Sequence, residues 1–227
     1  MAYTTIKKSN LYMKVNLHSG NGSARNITGI GFQPDFTIVK RRDSAGVWYN
    51  TDIVRGAGKQ MYLNETGGMG GSASTTEITG FNSDGFNLGT DNGVNASSGT
   101  YVSYNFLANN TTGSSNTDGT ITSTVSANTT SGFSIVKYTG TGSASTIGHG
   151  LGSAPKMVIV KPISTSGVWL TWHTGISING QLQLQTTDAV YNPGTGIYWN
   201  STLPTSSVFS VGTSGASNGS GTEYIAY

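Results

Sequence analysis

Apolar residues in this chain come in short runs broken by polar, glycine-rich stretches. Residues Phe36 to Arg42 and Met157 to Ile163 are runs rich in β-branched side chains, each entered shortly after a proline, Pro34 or Pro155, as suits the start of a strand. Gln181-Leu182-Gln183-Leu184-Gln185 alternates polar and apolar with a period of two, which predicts a strand with one buried and one wet face. Val208 to Val211 and Tyr101 to Tyr104 read the same way. Between the runs lie Gly, Asn and Ser, which supply positive φ and side-chain-to-backbone turns. No window of about 11 residues or more carries a helical stripe. Many short strands with regular turn signals predict an all-β protein, an antiparallel β-sandwich or jelly roll.

The pattern repeats. Gly29-Ile30-Gly31-Phe32-Gln33-Pro34 recurs 121 positions later as Gly150-Leu151-Gly152-Ser153-Ala154-Pro155. The same shift carries Ile38-Val39-Lys40 to Ile159-Val160-Lys161, Gly46-Val47-Trp48 to Gly167-Val168-Trp169, Leu63 to Leu184 and Thr66 to Thr187. After a two-residue insertion, Phe86, Tyr101 and Tyr104 fall on Phe209, Tyr224 and Tyr227. So many ordered matches predict two tandem diverged repeats. The expected division is an N-terminal arm (1–13), a first sandwich repeat (14–108), a linker (109–132) and a second sandwich repeat (133–227). Within the linker Thr120 to Val125 has strand-like composition. The pattern admits either two separate sandwiches or one shared core.

Composition narrows the function classes. Charged residues are only 10% of the chain, but it has 4 Trp, 11 Tyr and 7 Phe, too many aromatics for a disordered polymer. Nine basic residues share the first half with seven acidic ones, too even a balance for a nucleic-acid binder, so no nucleic-acid partner is expected. The absence of Cys excludes disulfides and thiol chemistry. The N-terminus has no apolar signal-peptide run and no stretch approaches ~18 apolar residues, so synthesis in the cytoplasm without membrane insertion is expected.

Little in the chain reads as catalytic, and no enzyme activity is expected. There is no G-x-S-x-G elbow and no zinc-ligand spacing around His18, His149 or His173. His149 sits in a repeat turn, where a structural role is expected. The carboxylate pairs Asp84 with Asp91 and Asp35 with Asp43 have no acidic counterparts in the second repeat, which argues against glycoside hydrolysis. No cofactor is expected. Asn82-Ser83-Asp84-Gly85 resembles half a calcium loop without its bidentate Glu, so calcium is the one metal the sequence leaves open. Trp48 and Trp169 are equivalent and are expected to share a core role. Trp172, His173 and Trp199 have no aromatic or basic counterparts in the first repeat, so they are candidates for ligand binding, with burial the alternative. Lys40, Arg41 and Arg42 with Arg55 are a candidate partner-binding patch or a solvated strand end.

Several segments carry a resemblance: Ala2 to Ile6, Ser19 to Ser23, Ile27 to Asp35, Val54 to Lys59, Phe81 to Gly89, Val94 to Ser97, Gly148 to Met157 and Pro204 to Phe209. Together they resemble a family common in tailed phages of marine bacteria. That resemblance implies a virion structural protein, tail-fibre-like or concanavalin-like in fold, with no catalytic residues to transfer. Two roles are expected from it: a tail-fibre or spike component binding host cell-surface glycan, or a capsid decoration protein stapling capsomers. Both imply other virion proteins as partners, location in the virion and a homo-oligomer, for which a trimer is the expected size.

Overall fold

The computed structural model describes residues 6, 8–69 and 71–227. Of the expected N-terminal arm, residues 1–5 and 7 lie outside the described residues, and Ser9–Leu11 forms a single 3-10 turn. The chain is nearly all β, with several antiparallel sheets. It divides into two compact units, residues 1–63 with 70–112, and 113–227 with Asn64–Met69.

Unit 1 holds strands β1 (Met13–Ser19), β2 (Arg25–Ile27), β3 (Phe36–Arg41), β4 (Trp48–Asp52), β5 (Met61–Tyr62), β6 (Ile78–Asn82), β7 (Gly85–Leu88), helical turn α1 (Asn92–Asn95) and β8 (Thr100–Phe106). Its five-stranded sheet runs β1-β8-β3-β4-β5, beside a three-stranded sheet β2-β7-β6. Val39, Ile78, Phe86, Leu88, Val94 and Tyr101 form the core. Alternation along β8 explains how: Tyr101, Ser103 and Asn105 turn inward, while Val102, Tyr104 and Phe106 lie on the other, half-exposed face.

Unit 2 holds β9 (Ser114–Asn116), β10 (Ser123–Asn128), β11 (Phe133–Thr139), β12 (Ser145–Gly148), β13 (Met157–Pro162), β14 (Leu170–His173), β15 (Leu182–Gln183), β16 (Val208–Val211), α2 (Gly215–Asn218) and β17 (Glu223–Ala226). Its large sheet runs β15-β14-β13-β17-β11-β10-β9, and β12 pairs with β16. Read from β11 to β15, this is the strand order of the unit 1 sheet. The segment expected as a linker contributes the two added strands β9 and β10, which cover β11.

Polar details coincide as well. Asn95 Nδ2 donates to the carbonyls of Ser23 and Gly89 at 2.7 and 2.8 Å, and Asn218 Nδ2 donates to those of Ser143 and Gly212 at 2.7 and 2.8 Å. Tyr101 Oη takes the amide of Ala96 and donates to Asn92 O, and Tyr224 Oη does the same with Gly219 and Gly215. A Cβ on Gly20 would collide with Ala96 O, and one on Gly140 with Gly219 O, so both turns require glycine.

Two sequence expectations change. Only Leu182–Gln183 of the alternating run forms a strand, and its polarity is inverted, with Gln181 buried and Leu184 exposed. The equivalent tryptophans also part company. Trp169 is fully buried, but Trp48 is 36% exposed, so a shared core role does not hold.

Candidate functional site

The four basic candidates of unit 1 do not form one patch. Arg55 is buried inside a turn that folds back on β4, its Nε 2.5 Å from Asp52 Oδ2, with both side chains fully inaccessible. Its two other nitrogens donate to Lys59 O and Asn50 Oδ1, both at 2.8 Å. With each guanidinium nitrogen bonded inside the fold and the side chain inaccessible, Arg55 has no surface to offer a partner and is corrected to a structural residue. Lys40 and Arg41 project from β3: Lys40 Nζ lies 6.0 Å from the centre of the Trp48 ring, and Arg41 pairs with Asp43 at 2.8 Å. Arg42 is exposed at the strand end.

Lys40 borders an apolar face, while Arg41 points to the opposite side of the sheet, over the Tyr101 ring. Register places Leu17 opposite Val102, Val102 opposite Lys40, and Lys40 opposite Trp48, so one row crosses four strands on one side of the sheet. Beside it runs Val15, Tyr104, Ile38. Leu17 is 60% exposed and Val15 46%. Exposed apolar residues gathered on one ordered face mark a contact surface more than scattered ones do.

In unit 2 the equivalent row is covered. Ile225, Lys161 and Trp169 are fully buried, and Asn64–Met69 lies against this side. Trp169 Nε1 donates to Glu65 O at 3.2 Å, Lys161 Nζ to Thr66 O at 3.2 Å, and the Gly167 amide to Thr66 O at 2.8 Å.

The one-copy aromatics of unit 2 separate. Trp172 and Trp199 are buried in the hydrophobic core with Val158, Leu170 and Phe209. A ring with no accessible face cannot stack on a sugar, so both are corrected from candidate ligand residues to core residues. Their indole N–H groups are buried without hydrogen-bond partners. His173 alone of the three is exposed, its Nδ1 accepting the Gly175 amide.

A cavity of about 290 Å³ that the sequence reading missed lies instead at the outer edge of this sheet, lined by Gln181, Gln183, Asp188, Ala189, Val190 and Tyr191. Tyr191 is 56% exposed, and buried Gln181 Oε1 has no hydrogen-bond partner. Backbone bonds between Gln181 and Tyr191, at 2.9 and 3.0 Å, close the loop that forms the cavity.

The carboxylates considered for hydrolysis are engaged in holding backbone. Asp84 accepts the amides of Gly29 and Gly31 at 2.9 and 2.6 Å, which depresses its pKa. Asp35 accepts those of Ala108 and Asn110, Asp91 caps α1 through Gly93, and Asp43 pairs with Arg41. Asp84 thus locks the turn that contains Gly29 and Gly31. Among the described residues no three His, Asp or Glu side chains gather to hold a metal.

Two histidines, half-buried His18 and buried His149, carry a pH signature. His18 stacks on Tyr101, its Nε2 lies 3.2 Å from Val94 O, and its Nδ1 is buried without a partner. His149 Nδ1 accepts the Leu151 amide at 3.1 Å, so protonating it would break that bond. Burial lowers both pKa values. Between the lowered folded pKa and the unfolded value of about 6.5, the unfolded chain binds more protons, so stability falls as pH falls through that window. In unit 2 the position of His18 is held by Tyr138, whose Oη donates to Ser217 O at 2.6 Å while its ring stacks on Tyr224. The substitution His18→Tyr is therefore expected to keep the bond to Val94 and to reduce the acid sensitivity of unit 1, measured as the change in urea midpoint between pH 8 and pH 5. An unchanged pH dependence would refute the assignment.

One family model, described as a domain of unknown function (DUF7483), matches residues 8–227. The chain belongs to the DUF7483 family. The DUF7483 match runs through both units and includes the Lys40–Trp48 face and the 181–191 cavity. No curated protein and no solved structure matches the chain.

Proposed function

We propose that this DUF7483 chain is a non-enzymatic surface protein of a tailed-phage particle, made of two diverged copies of one β unit, that works by holding neighbouring protein subunits as a capsid decoration protein does. The observation that carries this reading is the ordered apolar face of unit 1, where Val15, Leu17 and Trp48 are exposed beside Lys40 and Arg42. The family resemblance in the sequence supports the particle, and the use of Asp35, Asp43, Asp84 and Asp91 as structural ligands supports binding over catalysis.

A second reading, a tail-fibre or spike component binding host cell-surface glycan, is favoured by the 181–191 cavity. There an exposed tyrosine ring stands beside two glutamines and an aspartate, a combination suited to a sugar's apolar face and hydroxyls. Burial of Trp172 and Trp199 weakens this reading, because the larger stacking platforms are gone.

Cryo-electron microscopy of the purified particle tests both. Many copies at symmetric positions on the head are expected. A few copies at the tail tip, with glycan-array binding abolished by Tyr191→Ala, would replace the first reading by the second.

A further inference from the structure

The exposed row of unit 1 and the covered row of unit 2 carry the same cation-aromatic pair. Lys40 Nζ is 6.0 Å from the Trp48 ring centre, and Lys161 Nζ is 5.8 Å from that of Trp169. Each ammonium also donates to the next carbonyl along its strand, Lys40 to Arg41 O at 2.8 Å and Lys161 to Pro162 O at 3.0 Å. At the second pair the third partner is a loop: Thr66 O receives both Lys161 and the Gly167 amide, Glu65 O receives the Trp169 indole, and the Met69 amide donates to Ile163 O at 2.8 Å.

Every group on the receiving side of that contact has an equivalent in unit 1. Lys40, Gly46 and Trp48 stand for Lys161, Gly167 and Trp169, and Arg42 for Ile163, with the loop from Arg42 to Gly46 exposed. The covering loop has an equivalent too. It leaves β5 after Leu63, whose amide donates to Trp48 O at 3.0 Å. In unit 2 the chain leaves β15 after Leu184, whose amide donates to Trp169 O at 3.2 Å. Residues 64–69 then correspond to 185–190, and residues 186–191 are exposed. One copy of the chain therefore presents both halves of a contact that it already makes once internally within unit 2.

We propose that copies of this chain associate head to tail, the 186–190 loop of one copy seating on the Lys40–Trp48 face of the next in the way Asn64–Met69 seats on Lys161 and Trp169. Backbone carbonyls supply the recognition in the internal contact, so the sequence difference between the two loops does not remove it. Charge favours the match: Asp188 replaces Gly67 and would lie near Lys40 and Arg42. One position opposes it. A Cβ on Gly68 would approach Thr165 O to 2.7 Å, and Ala189 carries that Cβ, so the second contact is looser than the first. Such a heterologous interface closes into a ring where the rotation permits and otherwise extends. This inference concerns the isolated chain and stands or falls independently of the particle to which it belongs. The loop also lines the 181–191 cavity, so a saccharide there would compete with the neighbouring copy.

The test is sedimentation equilibrium of the full chain over a range of concentrations. Masses rising in multiples of 23.6 kDa are expected. Lys40→Glu, on the face, and Ala189→Trp, on the loop, are each expected to give monomers with unchanged circular dichroism. Mixing them restores one good face and one good loop, so dimers and nothing larger should form. Ala189→Gly should strengthen association. Because the chain has no Cys, a Ser44→Cys, Thr187→Cys double variant should oxidise to a ladder of multimers, and neither single variant should. A wild-type chain monomeric at every concentration, or multimers indifferent to both surface variants, overturns the proposal. Binding of glycans by a strictly monomeric chain would also overturn it and assign the loop to the saccharide reading.

Discussion

Arg55→Ala is expected to lower the stability of unit 1 by about 3–5 kcal/mol, the usual cost of leaving a buried charge without its partner. The guanidinium is inaccessible, bonded to Asp52, Lys59 O and Asn50 at once, and Asp52 is inaccessible with it. Removing Arg55 strands the Asp52 carboxylate in the fold, where the Arg55 amide remains as one donor to it at 2.7 Å. The pair itself is not expected to be worth that much, because desolvating both charges offsets most of their attraction. Unit 2 supplies the comparison. At the equivalent positions it has His173 for Asp52 and Ile176 for Arg55, and Ile176 packs against the hydrophobic core. The double change Asp52→His with Arg55→Ile should therefore cost clearly less than Arg55→Ala alone. Urea denaturation, followed by hydrogen exchange in β3 and β4, measures both. A double variant as damaged as the single one would show that the ion pair, and not the stranded charge, carries the stability.

This pair also marks where reading the sequence stops. In the sequence Arg55 is no different in kind from Lys40, Arg41 and Arg42, all basic and near one another in the chain. Which of them is buried depends on the turn after β4, which brings Arg55 back under the sheet beside Asn50 and Asp52. Strands were legible where a period of two or a β-branched run met a clear turn, as at Phe36–Arg41 and Val208–Val211. The run from Gln181 to Gln185 misled for a reason of the same kind. Its alternation is real, but the inward side is the glutamine side, a choice made by the loop that bonds Tyr191 back to Gln181. Trp48 and Trp169 are the sharpest case: the same Gly-Val-Trp triplet, equivalent strands, and different exposure, because Asn64–Met69 covers one of them. Nothing local to either tryptophan encodes that. The 181–191 cavity was illegible for a related reason, since its mixed polar and apolar lining, from β15 and the loop after it, is gathered by a single backbone bridge between Gln181 and Tyr191.

Trp172→Ala is expected to destabilise unit 2 by about 3–5 kcal/mol, as large-to-small changes in a packed core do. The side chain is 2% exposed, sits opposite Val158 in register and packs in the core that also holds Trp199, Phe209 and Tyr224. Trp172→Phe separates packing from polarity. The indole N–H of Trp172 is buried with no hydrogen-bond partner, and an unsatisfied buried donor costs about 1–3 kcal/mol. Phenylalanine gives up part of the packing but removes that penalty, so its net cost should be a small fraction of the alanine cost. A ligand role predicts a different pattern: stability nearly unchanged in both variants and binding lost in both. Tyr191→Ala supplies the surface control, with stability expected within about 0.5 kcal/mol of the native chain because the ring is largely in solvent. Thermal unfolding of the three variants decides among these outcomes. Equal, large losses for alanine and phenylalanine would mean that the indole N–H is satisfied in solution.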